Sequence, residues 1–208
     1  YLDASGCSLD FDGLCEDLSN AVENSIVLFH LCGHNPTGVD PTVEQWHTIY
    51  DICRERRCMP MFDNAYQGYV SGDPDIDAYP VRYFAQEAVS RGDAFNMLVC
   101  CSFSKNFGLY GERVGALHAI TNCSEECVRV AAQLRAITRT AYSTCPGYGA
   151  RLVKHILSDP LRKQQWKDEC KGMCIYVIMQ VRGAGRQPLC SHLLLVSHCT
   201  LLLLVLPC

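Results

Sequence analysis

The chain has 208 residues, 49% of them hydrophobic and 19% charged, with a formal net charge of −4. That length suffices for one buried core, and that balance is typical of a soluble globular domain rather than a disordered chain. The acidic balance, with no long run among the 18 basic residues, disfavours nucleic acid and anionic membrane surfaces as partners. Fifteen cysteines would suggest a disulfide framework in a small secreted protein. Here no signal-peptide pattern opens the sequence, and Cys100 and Cys101 sit inside an apolar run. The thiols are therefore expected to be mostly reduced.

In chain order, residues 25–32 form a short apolar run rich in strand formers and predict a buried strand. A turn-rich loop follows over 33–38. Asp40 is the expected N-cap of the next helix, with Pro41 at its first position. Val43, Trp46, Ile49, Tyr50 and Cys53 then recur at helical spacing up to about Arg57. Residues 59–62 predict a second strand that stops at Asp63, and 64–69 a loop. Residues 78–91 predict a helix, 97–101 a third strand ending at Ser102, and 114–120 a fourth. The stretch 125–138 predicts an amphipathic helix with Cys127, Val130, Ala131, Leu134 and Ile137 on its apolar face. Another helix is expected over 146–157.

From about Ile175 the pattern breaks down. Residues 193–206 are apolar and low in complexity, but shorter than the roughly 20 residues of a membrane helix. Strands alternating with helices predict an α/β domain with a mainly parallel sheet. Such sheets bind ligands outside the carboxyl ends of their strands. Asn35, Asp63, Tyr66, Ser102 and Lys105 all fall just beyond predicted strands.

The densest signal is Ser102-Phe103-Ser104-Lys105-Asn106-Phe107-Gly108-Leu109-Tyr110-Gly111-Glu112-Arg113-Val114-Gly115. A lysine amine condenses with an aldehyde cofactor, and hydroxyls with an arginine hold a phosphate. Asp63 could pair with a protonated ring nitrogen, or cap a turn. Asn35 and Tyr66 could bond a phenolate oxygen, or shape their loops. Arg113 could grip phosphate, or pair with Glu112. A rival reading takes His30, Cys32 and His34, alternating at a strand end, as zinc ligands. It lacks an evident fourth ligand.

Taken together, the motifs resemble the class I, fold-type I aminotransferases that use pyridoxal 5′-phosphate. They are His34-Asn35-Pro36-Thr37-Gly38-Val39-Asp40-Pro41, Asp63-Asn64-Ala65-Tyr66-Gln67-Gly68-Tyr69, the lysine motif above, and Arg139-Thr140-Ala141-Tyr142-Ser143-Thr144-Cys145-Pro146. The resemblance runs to about Cys174. It implies a three-layer α/β sandwich with a mainly parallel mixed sheet. It also implies that Lys105 is the cofactor-binding lysine and proton carrier, and that Asp63 faces the ring nitrogen. Asn35 and Tyr66 would bond the ring oxygen, with Asn35 also near substrate. Ser102 and Arg113 would hold phosphate, and His30 and His34 would lie behind the ring-nitrogen aspartate.

Arg139 matches the arginine that reads a dicarboxylate side chain from the neighbouring subunit. The reaction implied is amino transfer from L-aspartate to 2-oxoglutarate, in a homodimer acting on small amino and 2-oxo acids. Aromatic amino acids are the runner-up substrates, and an inactive truncated fragment is the non-catalytic alternative. The lysine motif looks more cytoplasmic than mitochondrial. The chain departs from the family in three ways. An earlier segment with further cofactor contacts is missing before Tyr1. No residue matches the arginine that grips the α-carboxylate. The stretch from Ala85 to Met97 is longer than usual. The expected organisation is a partial cofactor-binding large domain over 1–174, with the small domain largely missing. Residues 175–208 are then a non-homologous tail arising from a shifted frame or translated intron.

Overall fold

The computed structural model describes residues 1–93, 95–183 and 200–203; of 175–183 and 200–203 only the backbone is described. Strands β1 (Ile26–His30), β2 (Met59–Asn64), β3 (Met97–Ser102), β4 (Val114–Ile120) and β5 (Thr200–Leu203) form one sheet in that order. β1, β2 and β3 are parallel neighbours, β4 runs antiparallel to β3, and β5 is parallel to β4. The sheet is thus mixed, and the three strands that carry the predicted site point the same way.

The helices are α1 (Phe11–Asn20), α2 (Val43–Glu55), α3 (Pro74–Asp77), α4 (Tyr79–Arg91), α5 (Ser124–Tyr142), α6 (Tyr148–Leu157) and α7 (Pro160–Gly183). The core lies between one face of the sheet and α1, α2 and α4. Phe62 and Phe84 are fully buried and meet edge to face at 5.3 Å, and Trp46 packs against both. Tyr50, also buried, meets Phe84 edge to face at 5.1 Å. Such aromatic pairs add about 0.5–1.5 kcal/mol each to the gain from area burial. On the other face of the sheet Ile26 and Leu28 remain 60% exposed.

Four local expectations are corrected. Asp40 is not the N-cap of α2. Thr42 caps it in a reciprocal box with Gln45, because threonine three residues before glutamine satisfies two orphan N–H groups at once. Asp40 instead accepts the N–H groups of Gly33 and His34 at 2.6 and 2.8 Å, closing the 33–40 loop on itself. The helix after β4 extends to Tyr142, and Ile137 on its supposed apolar face is 60% exposed. Among the described residues, the buried positions of that helix, Cys127 and Ala131, lie in its first half. Helical structure does not fail near Ile175 but continues in α7 to Gly183, since elongating a docked helix is far cheaper than nucleating one. Of the apolar run 193–206, residues 200–203 form β5 and the rest lies outside the described residues.

Candidate active site

The parallel strands β1, β2 and β3 deliver their carboxyl ends side by side. In register, His30 of β1 stands opposite Asp63 of β2, and Asp63 opposite Cys100 of β3. Asp63 therefore sits at the centre of the sheet's rim, flanked on both sides. Beyond β1 the chain turns back so that the Asn35 N–H donates to His30 Nδ1 at 3.1 Å. His34 stacks on Tyr1 at 3.7 Å, lies 4.7 Å from the His30 ring and bonds Thr37 Oγ1 at 2.7 Å. Burial, and then the neighbouring His30, hold the His34 pKa below its ordinary value.

Beyond β2, Tyr66 brings its ring beneath the Lys105 amine, with Nζ 4.8 Å from the ring centroid. Burial, Tyr110 and Asp63, in that order, raise the Tyr66 hydroxyl pKa, so the phenol keeps its proton and can donate. Beyond β3 the chain makes a tight turn. Ser102 Oγ accepts the Ser104 N–H at 3.3 Å. Arg113 Nη1 reaches Ser104 Oγ at 3.4 Å and the Tyr110 carbonyl at 2.9 Å. Arg113 has φ of 51°, a left-handed value that L-residues hold only under surrounding constraint. Two hydroxyls and one guanidinium thus converge on the turn that carries Lys105.

Six predicted residues, Asn35, Asp63, Tyr66, Ser102, Lys105 and Arg113, therefore gather along the carboxyl ends of β1–β3. Arg139 does not join them. It is exposed near the end of α5, where it donates to Ser143 Oγ at 2.7 Å. A cavity of about 480 Å³ also touches Lys105, but it opens toward α7, lined by Trp166, Glu169 and Met173 among others. None of the other six predicted residues lines it.

Sequence reasoning missed the groups that hold this site in place. Tyr69 donates its hydroxyl to the Lys105 carbonyl at 2.9 Å. Trp166 of α7 donates from Nε1 to the Asn106 carbonyl at 2.7 Å and stacks on Phe107 at 4.8 Å. The Phe107–Trp166 stack joins segments about sixty positions apart, and no periodicity announces it. Among the described residues, no group of three or more His, Cys, Asp or Glu is placed to hold a metal. Cys32, the middle member of the suggested zinc set, is buried, and burial pushes its thiol pKa well up.

The donor set suits a phosphorylated aldehyde with a basic ring. It offers an amine, a central carboxylate, a phenol, and a hydroxyl–guanidinium cluster in one rim. Those are the features of a pyridoxal-phosphate-type transferase domain. Comparison with known proteins places the chain within that class. The profile of the family "Aminotransferase class I and II" matches residues 1–182, and the chain belongs to that family. It is similar to the mitochondrial aspartate aminotransferase of Dictyostelium discoideum, 47% identical over 178 residues, covering 86% of this chain and 40% of that protein. It is also similar to the cytoplasmic aspartate aminotransferase of Oryza sativa subsp. japonica, 45% identical over 178 residues, covering 86% of this chain and 42% of that one.

Among solved structures it resembles the aromatic-amino-acid aminotransferase of Burkholderia pseudomallei covalently bound to pyridoxal phosphate. The TM-score is 0.79 and the identity 36%, over 89% of this chain and 46% of that one. The mixed α/β fold of these proteins is the fold of this chain. The chain spans about two fifths of the length of the curated relatives it matches.

Proposed function

We propose that this chain is part of an enzyme that moves the amino group of L-aspartate to 2-oxoglutarate in two half-reactions, giving oxaloacetate and L-glutamate. The observation that carries the reading is the Lys105 amine held over the Tyr66 ring, on the turn that also carries the Ser102–Ser104–Arg113 contacts and at the end of the sheet where Asp63 lies. Pyridoxal 5′-phosphate, when bound, supplies an aldehyde and an electron-accepting ring. Ser102 and Arg113 hold its phosphate, with Ser104 orienting the guanidinium. Asp63 would accept a hydrogen bond from a protonated ring nitrogen and keep that proton in place. Tyr66 and Asn35 donate to the ring oxygen.

Lys105 binds the cofactor covalently. Its amine, once free, would serve as the base that takes the proton from the substrate's α-carbon and as the acid that returns it. Arg139 would read the substrate's second carboxylate, for which a planar fork of donors is suited. Its exposed position on α5 supports a role in the site of a second subunit, and hence a homodimer. We assign residues 1–174 to the cofactor-binding domain and treat 175–208 as a foreign tail. The family match ends at residue 182, inside α7 and eight residues beyond that proposed boundary. The compartment proposed is the cytoplasm; the relatives named above include one cytoplasmic and one mitochondrial protein.

The test is the first half-reaction. Chain loaded with pyridoxal 5′-phosphate is given L-aspartate, and oxaloacetate is measured by malate dehydrogenase coupling. Stoichiometric oxaloacetate supports the reading, and Lys105→Ala removes it. A second reading, aromatic substrates, draws on the likeness to the B. pseudomallei protein. Phenylpyruvate from phenylalanine, without oxaloacetate from aspartate, would favour it.

A further inference from the structure

The reactive lysine is gripped at both ends by one loop, and that loop is folded around a single buried carboxylate. Asp77, the last residue of α3, is 6% exposed. Its Oδ2 accepts the N–H groups of Gly68 at 2.7 Å and Val70 at 3.2 Å, and its Oδ1 accepts the Ser71 N–H at 2.9 Å. Gly68 has φ of +93°, which lets alternate N–H groups turn inward onto one acceptor.

On the two sides of Gly68 stand the tyrosines that meet the lysine. Tyr66 lies under the Lys105 amine, and Tyr69 donates to the Lys105 carbonyl. The residue after the lysine is tied to the same loop, since Asn106 Nδ2 donates to the Gln67 carbonyl at 3.2 Å. Gln67 in turn is fixed from both ends, accepting from Asn64 Nδ2 at 2.6 Å and donating to the Pro74 carbonyl at 2.8 Å.

We propose that Asp77 is a positioning residue for Lys105: its carboxylate folds loop 68–71 so that Tyr66 and Tyr69 hold the lysine's amine and carbonyl in the geometry that meets the cofactor. Asp77 touches neither lysine nor cofactor and acts through the two tyrosines. Three N–H donors require a full carboxylate. A neutral amide offers one oxygen and turns an N–H₂ group toward the remaining donors. The proposal rests on the reading of Lys105 as the reactive lysine.

Two measurements on the 208-residue chain separate the proposal from that reading. The first is reductive ¹³C-methylation of the lysines, read by NMR without cofactor, with the Lys105 signal assigned by Lys105→Arg. In the native protein that signal is shifted upfield by the Tyr66 ring current. The shift is lost in Asp77→Ala and reduced in Asp77→Asn and Tyr69→Phe. It is retained in Asp75→Asn, which weakens the neighbouring pair with Lys167.

The second measurement is the rate of pyridoxal phosphate capture at Lys105, trapped with borohydride and mapped by peptide mass. It falls about tenfold in Asp77→Ala and about threefold in Tyr69→Phe, as expected for a reacting group displaced by a fraction of an ångström. If Asp77→Ala does not fold, Tyr69→Phe carries both measurements. A folded Asp77→Ala that keeps the native Lys105 signal and capture rate overturns the proposal. An unshifted Lys105 signal in the native chain overturns it through the geometry. A shifted signal without capture in the native chain overturns it through the catalytic reading instead.

Discussion

Gly68→Ala tests how tightly the Tyr66–Tyr69 loop is set against α7. At Gly68 φ is +93°, and a Cβ added there would lie 3.2 Å from Cys170 Cβ, Cys170 Sγ and Pro74 Cγ. The left-handed backbone alone costs an L-residue about 1–2 kcal/mol. Crowding against a buried helix side chain adds about 1–3 kcal/mol, because Cys170 is 2% exposed and cannot swing aside. The expected total is about 2–5 kcal/mol. Gly92→Ala supplies the control: Gly92 has φ of +64° at the end of α4 and nothing within 4 Å of its added Cβ, so it should lose only about 1 kcal/mol. Urea unfolding followed by the fluorescence of Trp46 and Trp166, analysed by linear extrapolation, measures both. Equal losses at the two positions would mean that Cys170 and Pro74 do not crowd Gly68.

Other outcomes follow from the same contacts. His34 and His118 both have pKa values held below the ordinary histidine value by burial. The unfolded chain then binds more protons than the folded one, and stability rises with pH there. Stability should therefore be full above the unfolded value of about 6.5 and fall as pH drops through it toward the lower folded values. In urea midpoints from pH 8 to 5, His118→Gln should flatten that slope, and an unchanged slope in His118→Gln with His34→Gln would contradict it. Trp166→Phe keeps a ring against Phe107 but removes the donor to the Asn106 carbonyl, for a loss of about 1 kcal/mol. Trp166→Ala should lose clearly more in the same assay. Lys105→Ala should cost under about 1 kcal/mol, the worth of an accessible cation over a ring, while abolishing cofactor capture. A larger loss would mark Lys105 as a structural residue.

The strands and most helices were legible because apolar runs and helical spacing are local signals. So was the place where the candidate residues gather, since Asn35, Tyr66 and Lys105 follow strands, and Asp63 lies near the end of one, that are parallel neighbours. What sequence could not supply was the frame around them. Asp40 looked like a cap by its place before Pro41, yet its carboxylate bonds backward to Gly33 and His34; the stronger Thr42–Gln45 box took the helix. Asp77 sits in a turn-rich stretch, 71–77, with two other aspartates. Nothing in that spacing says which one turns inward. Trp166 and Tyr69 matter through contacts with residues 60 and 36 positions away, and pairings of that separation are set only by the tertiary fold. Ile137 shows the opposite failure: helical periodicity was real, but the partner for that face is not among the described residues.

On the proposed reading, the rim of β1–β3 holds pyridoxal 5′-phosphate on Lys105. The most direct measurement is to incubate the chain with the cofactor, reduce with borohydride and map the modified peptides. A single adduct on Lys105, absent from Lys105→Ala, is expected. Labelling spread over several lysines, or none at Lys105, would contradict it.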